Sequence, residues 1–312
     1  MDQSLVGLAV VSLVVLAGCS GLVPSAPGGP ATPTVTPAPV PPTPPAAEPF
    51  VDAAGTVDGG ALARAHAARL RDTSFTVATT RTATYRNGSL ASRLDVRLRV
   101  PDTDGYSVSV AVAGPAGPEF LGRPPARATF WSNGTVYVRR LDAGDRTIYN
   151  RFDPPFDYAG TRRYWLDVVA LDGPPRRDVE GAFGSFRTRV TARTRDGDAT
   201  VYRVVGTNPR STGFVDDNED VAAVRDASLA ARVTAAGLVR SYRVTYTAET
   251  PTGAVVSVTR RVRYERVGNT TVSRPAWYAR AVGDETDRAR QARPADAVGR
   301  GAASRAASGQ AR

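Results

Sequence analysis

The chain has 312 residues, 40 of them basic and 30 acidic, for a formal net charge of +10. No lysine occurs, so every basic residue is an arginine. One cysteine and one histidine exclude a disulfide framework and any Cys- or His-rich metal cluster, and they leave a histidine-based triad only with His66 as its base.

Leu5–Leu16 is a predominantly apolar run, shorter than the roughly 20 residues of a membrane-spanning helix. It leads into Leu16-Ala17-Gly18-Cys19. A short apolar stretch followed by small residues is the pattern of an export signal, although Met1–Ser4 carries no cation. The ending looks like a lipobox, and the only cysteine of the chain stands where a lipobox requires it. The expectation is a signal peptide over 1–18 and a lipid-modified Cys19, holding the protein on the outer face of the cell membrane. Residues 24–49 are dominated by Pro, Ala, Thr and Val, as in Pro41-Pro42-Thr43-Pro44-Pro45. Such a composition cannot form a core, and it favours an extended spacer. A stalk is therefore expected over 19–50.

Residues 51–282 remain as a single folded domain. Residues 1–50 hold two acids and no arginine, and 283–312 hold six arginines and four acids. The whole excess of ten positive charges therefore lies in 51–282. The tail 283–312 lacks apolar periodicity and reads as disordered.

Asp58-Gly59-Gly60 precedes Ala61–Arg71, a predicted helix rich in Ala, Leu and Arg. The period then changes to two. Leu94, Val96, Leu98 and Val100 alternate with Arg93, Asp95, Arg97 and Arg99, the pattern of a half-buried strand. Asn87-Gly88, Asn133-Gly134 and Asp196-Gly197 are hairpin turns between such runs, and Thr250–Gly253 joins a further pair. About ten strands with short turns predict a large antiparallel sheet. Arg162–Leu171 and Val221–Ala227 are predicted as further helices covering one side of it.

Two passages carry a family resemblance. Ala236–Tyr242, Val262–Val272 and Arg274–Tyr278 form the later set, and the helix followed by Leu70–Val77 forms the earlier one. In this order, behind a lipobox and a Pro/Thr stalk, they resemble uncharacterised haloarchaeal surface lipoproteins. Those proteins are usually acidic, whereas this chain is basic. The layout is in turn similar to the LolA/LprG-like half-barrel, an α+β fold in which a curved antiparallel sheet wraps a few helices around an apolar cleft. That resemblance implies a non-enzymatic lipoprotein that binds or carries an apolar ligand or lipid. It places Phe75, Phe130, Trp131, Trp165 and Leu166 in the cleft; an ordinary filled core uses the same residues.

The remaining signals name no reaction. There is no Gly-x-Ser-x-Gly elbow, no phosphate-binding loop and no His-Glu-x-x-His. No cofactor, metal or nucleic-acid partner is expected. Asp216–Asp220 is the densest acidic run, without the glycine and distal glutamate of an EF-hand loop, and reads as solvated. Asp102-Thr103-Asp104-Gly105 reads as a turn. Asn87, Asn133 and Asn269 each begin an Asn-x-Ser/Thr sequon, a candidate glycan acceptor in an exported protein. The arginines Arg97, Arg99, Arg139, Arg140, Arg260, Arg261 and Arg263 are spread along predicted strand faces. They read as a solvated face or as an attraction to anionic polymers or lipids of the cell-surface layer. The second functional reading is accordingly a structural or adhesive surface module.

Replacing Cys19 by Ser removes the lipid acceptor. The variant is expected in the soluble fraction after lysis while the parent sediments with membranes; equal sedimentation would refute the lipobox.

Overall fold

Asp58 starts the first helix: its Oδ1 accepts the N–H of Ala61 at 2.9 Å, satisfying one of the free donors at a helix start. The helix, α1, runs Gly59–Leu70. The computed structural model describes residues 50–152, 162, 164, 165, 177–215 and 221–283. Its strands are β1 (Phe75–Tyr85), β2 (Leu90–Val100), β3 (Tyr106–Ala113), β4 (Ala126–Ser132), β5 (Tyr137–Ala143), β6 (Arg146–Phe152), β7 (Arg187–Asp196), β8 (Ala199–Thr207), β9 (Ala223–Thr234), β10 (Val239–Glu249) and β11 (Val255–Glu265). A second helix, α2, spans Arg177–Gly184, between β6 and β7.

The eleven strands form one antiparallel sheet in the order β6-β5-β4-β3-β2-β1-β11-β10-β9-β8-β7. Nine of the ten pairings join neighbours in sequence. The tenth brings β1 against β11, with Val77 opposite Tyr264 and Arg81 opposite Arg260. The sheet is open, with β6 and β7 at its edges. The β7 edge is protected by the chain just before α1: Val57 N–H donates to Thr188 at 3.1 Å, and Val190 N–H donates to Gly55 at 2.8 Å. Such cover keeps unpaired edge groups from templating another chain. The architecture is α+β, as expected from the alternating runs, and fits a half-barrel.

Successive strand residues face opposite sides of a sheet, so each strand contributes to an inner and an outer face. The inner face holds the main core, including Phe75, Val77, Leu98, Val108, Val244 and Val262. Part of that face is covered by α1 and α2. The two helices approach closely because Gly59 lies against the end of α2; a Cβ there would sit 2.7 Å from the Gly184 nitrogen. The outer face holds a second, smaller cluster. Trp131 and Val138 are covered there by Ala281, Trp277 and Tyr278 from the chain after β11. Trp131 meets Tyr278 edge-on at 5.3 Å, and Tyr149 lies 6.2 Å from Trp277.

Two sequence expectations change. Val221–Ala227 is not a helix: Ala223–Thr234 is strand β9. The pairing with β10 shifts register between Thr245 and Thr247, and Asp226 at that point has φ of +56°. A bulge inserts one residue into the alternation. Val221, Val224 and Ala227 thereby acquire a helix-like spacing. Conversely, α2 has eight residues with two glycines and follows two prolines, so propensity alone does not mark it. Val179, Ala182 and Phe183 are its buried apolar side, and packing rather than propensity holds the helix. Of the predicted helix 162–171, Arg162, Tyr164 and Trp165 are helical and the rest lies outside the described residues. The expected signal peptide, the stalk, Asp216–Asp220 and all but the first residue of the tail also lie outside them.

His66 is fully buried on α1. Its Nδ1 accepts the N–H of Val239 at 3.2 Å, so the neutral ring carries its proton on Nε2. Among the described residues, Nε2 meets no acceptor. The ring stands edge-on to Tyr264 at 4.4 Å. Burial drives its pKa down from 6.5 to about 3. The unfolded chain then binds more protons between these values, so stability falls as pH drops through that window. At about 1.36 kcal/mol per unit of full protonation difference, lowering the pH from roughly 6.5 to 4.5 removes about 2 kcal/mol through this group. His66→Asn retains an acceptor for Val239 N–H. Urea unfolding at the two pH values is expected to show a smaller loss in the variant; an equal loss would exonerate the imidazole.

Candidate functional site

The inner face is not uniformly filled. Along β1 the inward positions run Phe75, Val77, Thr79, Arg81, Ala83 and Tyr85, and the Phe75 end lies in the core against Tyr264, with ring centroids 6.4 Å apart. At the other end the side chains become small. Ala83, Ala91, Ser92, Ala116 and Ala254 border a cavity of about 840 Å³. Leu94, Val96 and Val256 line the sheet side, Pro118 and Phe120 come from the loop after β3, and Trp165 and Val221 close it from across. Phe120 is 49% exposed, which marks the open side of the cavity.

A space of this size with an open side is not a sealed void in the packing: water or a small apolar molecule can enter it.

Its polar content is small and localised. Arg81 is the only charged side chain among the described lining residues, and its Nη1 donates to Ser92 Oγ at 3.3 Å. Arg81 sits directly across from Arg260 on β11. Arg260 is turned inward and buried, and its Nη2 donates to Asp178 Oδ1 of α2 at 2.5 Å. The hydroxyl of Tyr242 donates to the other carboxylate oxygen of Asp178. Burial pushes the phenols of Tyr242 and Tyr264 well above their ordinary range, so both stay neutral; Tyr242 donates to Asp178, whereas the Tyr264 hydroxyl meets no partner among the described residues. This cluster joins α2 to β10 and β11 and brings a buried guanidinium beside the cation that reaches the cavity. Among the described residues no group of three or more His, Cys, Asp or Glu side chains could hold a metal ion.

The residues expected in the cleft separate into several places. Trp165 lines the cavity and is almost fully buried. Phe130 packs behind it, centroids 4.4 Å apart, without lining the space. Phe75 lies in the packed core, away from the cavity lining. Leu166 lies outside the described residues. Trp131 is a correction: as the neighbour of Phe130 on β4 it faces the outer side, in the cluster under Tyr278. The two-residue strand period forbids both aromatics from facing one cleft. The expected outward arginines need the same correction. Arg139 faces inward over the Phe152 ring, bonded to Asn150 at 2.7 Å, and Arg260 is buried. In each Arg-Arg pair of a strand, one member must face inward. The small residues Ala83, Ala91, Ala116 and Ala254, which create the cavity, drew no attention in the sequence. Their signal is a drop in side-chain size on an otherwise bulky face.

The three sequon asparagines are exposed. Asn87 Oδ1 accepts from Ser89 N–H at 3.0 Å, and Asn133 Oδ1 accepts from Val136 N–H at 2.9 Å, so both shape hairpin turns. Asn269 lies in the turn after β11, next to the buried Thr270.

A sequence profile of a family of unknown function, DUF7537, matches residues 4–281. No curated protein matches the chain in sequence. Among solved structures, the chain is similar to a DUF1329 family protein from Desulfovibrio piger, at 9% identity, covering 70% of this chain and 95% of that one, with a TM-score of 0.25. It is similar to a LolA superfamily protein from Nitrosomonas europaea, at 9% identity over 70% and 96% of the two chains, with a TM-score of 0.24. It is similar also to LprF from Mycobacterium bovis, at 8% identity over 70% and 95%, with a TM-score of 0.33. Likenesses this distant say nothing about function.

Asp178→Ala is expected to destabilise the protein by about 3–5 kcal/mol, because it leaves a guanidinium only 9% exposed without its carboxylate. Asp95→Ala, which breaks a pair whose arginine is 49% exposed, should cost about 1 kcal/mol or less. Equal losses in urea unfolding would remove Asp178 from its anchoring role.

Proposed function

We propose that this chain, which belongs to the DUF7537 family, is an exported, membrane-anchored lipoprotein that binds or carries an apolar ligand, a lipid, on the inner face of its sheet. The observation that carries the reading is the cavity of about 840 Å³ with its apolar walls. Pockets for small apolar molecules fall within roughly 300–1,000 Å³ and combine such walls with few polar groups. The walls supply the hydrophobic term, at about 25 cal/mol for each Å² removed from water. Arg81 and Ser92 supply one polar end, suited to a headgroup or carboxylate. The reading needs no catalytic group. The protein acts by removing an apolar molecule from water and holding it.

The rest of the chain fits this role as a delivery arrangement. In this reading residues 1–18 direct export, Cys19 carries the lipid, and residues 19–50 hold the domain away from the bilayer. A single acyl chain binds a membrane only marginally, so firm attachment takes a second contact. No helix among the described residues is long and apolar enough to cross a membrane. Asn87, Asn133 and Asn269, all exposed, are the proposed glycan acceptors.

Filling the cavity tests the reading. Ala83→Phe combined with Ala254→Phe places two rings into the space from β1 and from the turn before β11. Lipid extracted from the purified chain and identified by mass spectrometry is expected to drop to background in the variant. Binding of a fluorescent fatty acid should weaken by about tenfold or more while the melting temperature is kept. Unchanged lipid content and probe affinity in a folded variant would overturn it.

A further inference from the structure

The outer face of the sheet differs along its width. At β4–β6 it is covered by the chain after β11, through Trp277, Tyr278 and Ala281. Across β7–β11 it carries a groove of about 510 Å³, whose arginines stand on β8–β11. The strand register arranges the arginines of this groove in two rows. In the first, Arg203 of β8 stands directly opposite Arg232 of β9, Arg232 opposite Ser241 of β10, and Ser241 opposite Arg263 of β11. In the second, two residues along, Arg243 of β10 stands directly opposite Arg261 of β11. All five arginines are exposed.

Like charges in directly opposed positions of an antiparallel pair repel and destabilise the sheet. Two such pairs lie side by side here. Among the described residues, one acid answers them: Asp196 meets Arg232 at 3.4 Å and is also bonded to Arg240. Arg203, Arg243, Arg261 and Arg263 form no ion pair among the described residues. Elsewhere on the same face Arg97 is answered by Glu265 and Arg93 by Asp95, each at 2.7 Å. In the groove two directly opposed arginine pairs lie together, with Asp196 as their one acidic partner among the described residues.

We infer that this groove binds a linear anionic polysaccharide, laid across strands β8–β11 with its carboxylate or sulfate groups on Arg203, Arg232, Arg243, Arg261 and Arg263. Three gaps of about 4.8 Å between strands spread the first row over about 14 Å, the length of a few sugar residues. Guanidinium groups take carboxylates and sulfates in a two-point fork, and Ser241 adds a hydroxyl suited to sugar oxygens. Two other anionic partners fit less well. Single-stranded nucleic acid stacks its bases on aromatic rings, but Tyr202 turns inward against Phe50 at 6.2 Å and Tyr242 is buried. A bilayer surface is gripped by apolar side chains beside the charges. The exposed large hydrophobics among the described residues, Leu90, Phe120 and Ile148, all lie off these strands.

The test uses the full chain with polygalacturonate, dextran sulfate, neutral dextran, oligo(dT) and phosphatidylglycerol vesicles. The two anionic polysaccharides are expected to bind, neutral dextran not, with affinity falling by about tenfold or more between roughly 0.05 and 0.5 M salt. Changing Arg203, Arg232, Arg243 and Arg261 together to Gln should weaken binding by about tenfold or more. A charge-matched control with Arg86, Arg123, Arg127 and Arg146 changed to Gln, all exposed and outside the groove, should stay within about twofold. The eight positions are exposed, so melting curves of both variants should match the parent. Equal weakening in the control would reduce the site to general charge and overturn the proposal. Tighter binding of oligo(dT) or of vesicles than of polygalacturonate would overturn the ligand class.

Discussion

The carboxylate of Asp178 is the joint between the helices and the sheet. It receives the Arg260 guanidinium from β11 and the Tyr242 hydroxyl from β10, all three side chains buried. A charge taken out of water is tolerated only with such partners, so the position of α2 over these two strands is tightly determined. Through Gly59, α2 in turn fixes where α1 lies, and α1 brings His66 against Tyr264 and the Val239 amide. The packed half of the inner face is built outward from this joint. The open half begins one strand away, where Arg81 faces Arg260 across the β1–β11 pairing and reaches the cavity.

The pairing of β1 with β11 has a second consequence. It joins two meanders, one following α1 and one ending the sheet, into a single surface whose free edges are β6 and β7. The inner face becomes wide enough to hold both a core and a cavity. The outer face divides as well, into a region covered by the chain after β11 and a region of directly opposed arginines. An apolar site inside and a cationic groove outside are thus two products of one alternation. Because they lie on opposite faces, each can be altered without touching the other.

Much of the strand pattern was legible residue by residue. Asn87-Gly88, Asn133-Gly134 and Asp196-Gly197 mark turns that the fold uses, because glycine takes the positive φ those turns need, as at Gly88 and Gly134. Asp58 marked the start of α1 through the acceptor it offers. The misreadings have definite causes. The bulge at Asp226 disguised β9, and α2 lacks the propensity to announce itself. Phe130 and Trp131 look like one aromatic cluster in the sequence, because adjacent letters hide the fact that strand neighbours face apart. The cavity itself could not be read, since it is made by small residues from β1, β2, the loop after β3 and the turn before β11.

Legible in the residues alone are a lone cysteine after a short apolar run, a proline-rich stretch after it, and a net excess of ten positive charges in residues 51–282. The antiparallel character of the body is legible there too, because a two-residue period and hairpin turns are local properties of the chain. Tertiary structure alone decided which arginines stand together. Arg203, Arg232, Arg243 and Arg261 are separated by tens of residues in places, yet pairing register sets them side by side while turning Arg139 and Arg260 inward. It alone decided, too, that the inner face would leave space beside Trp165. Period is written along one strand, whereas register and void depend on what the neighbouring strands and helices bring to the same point.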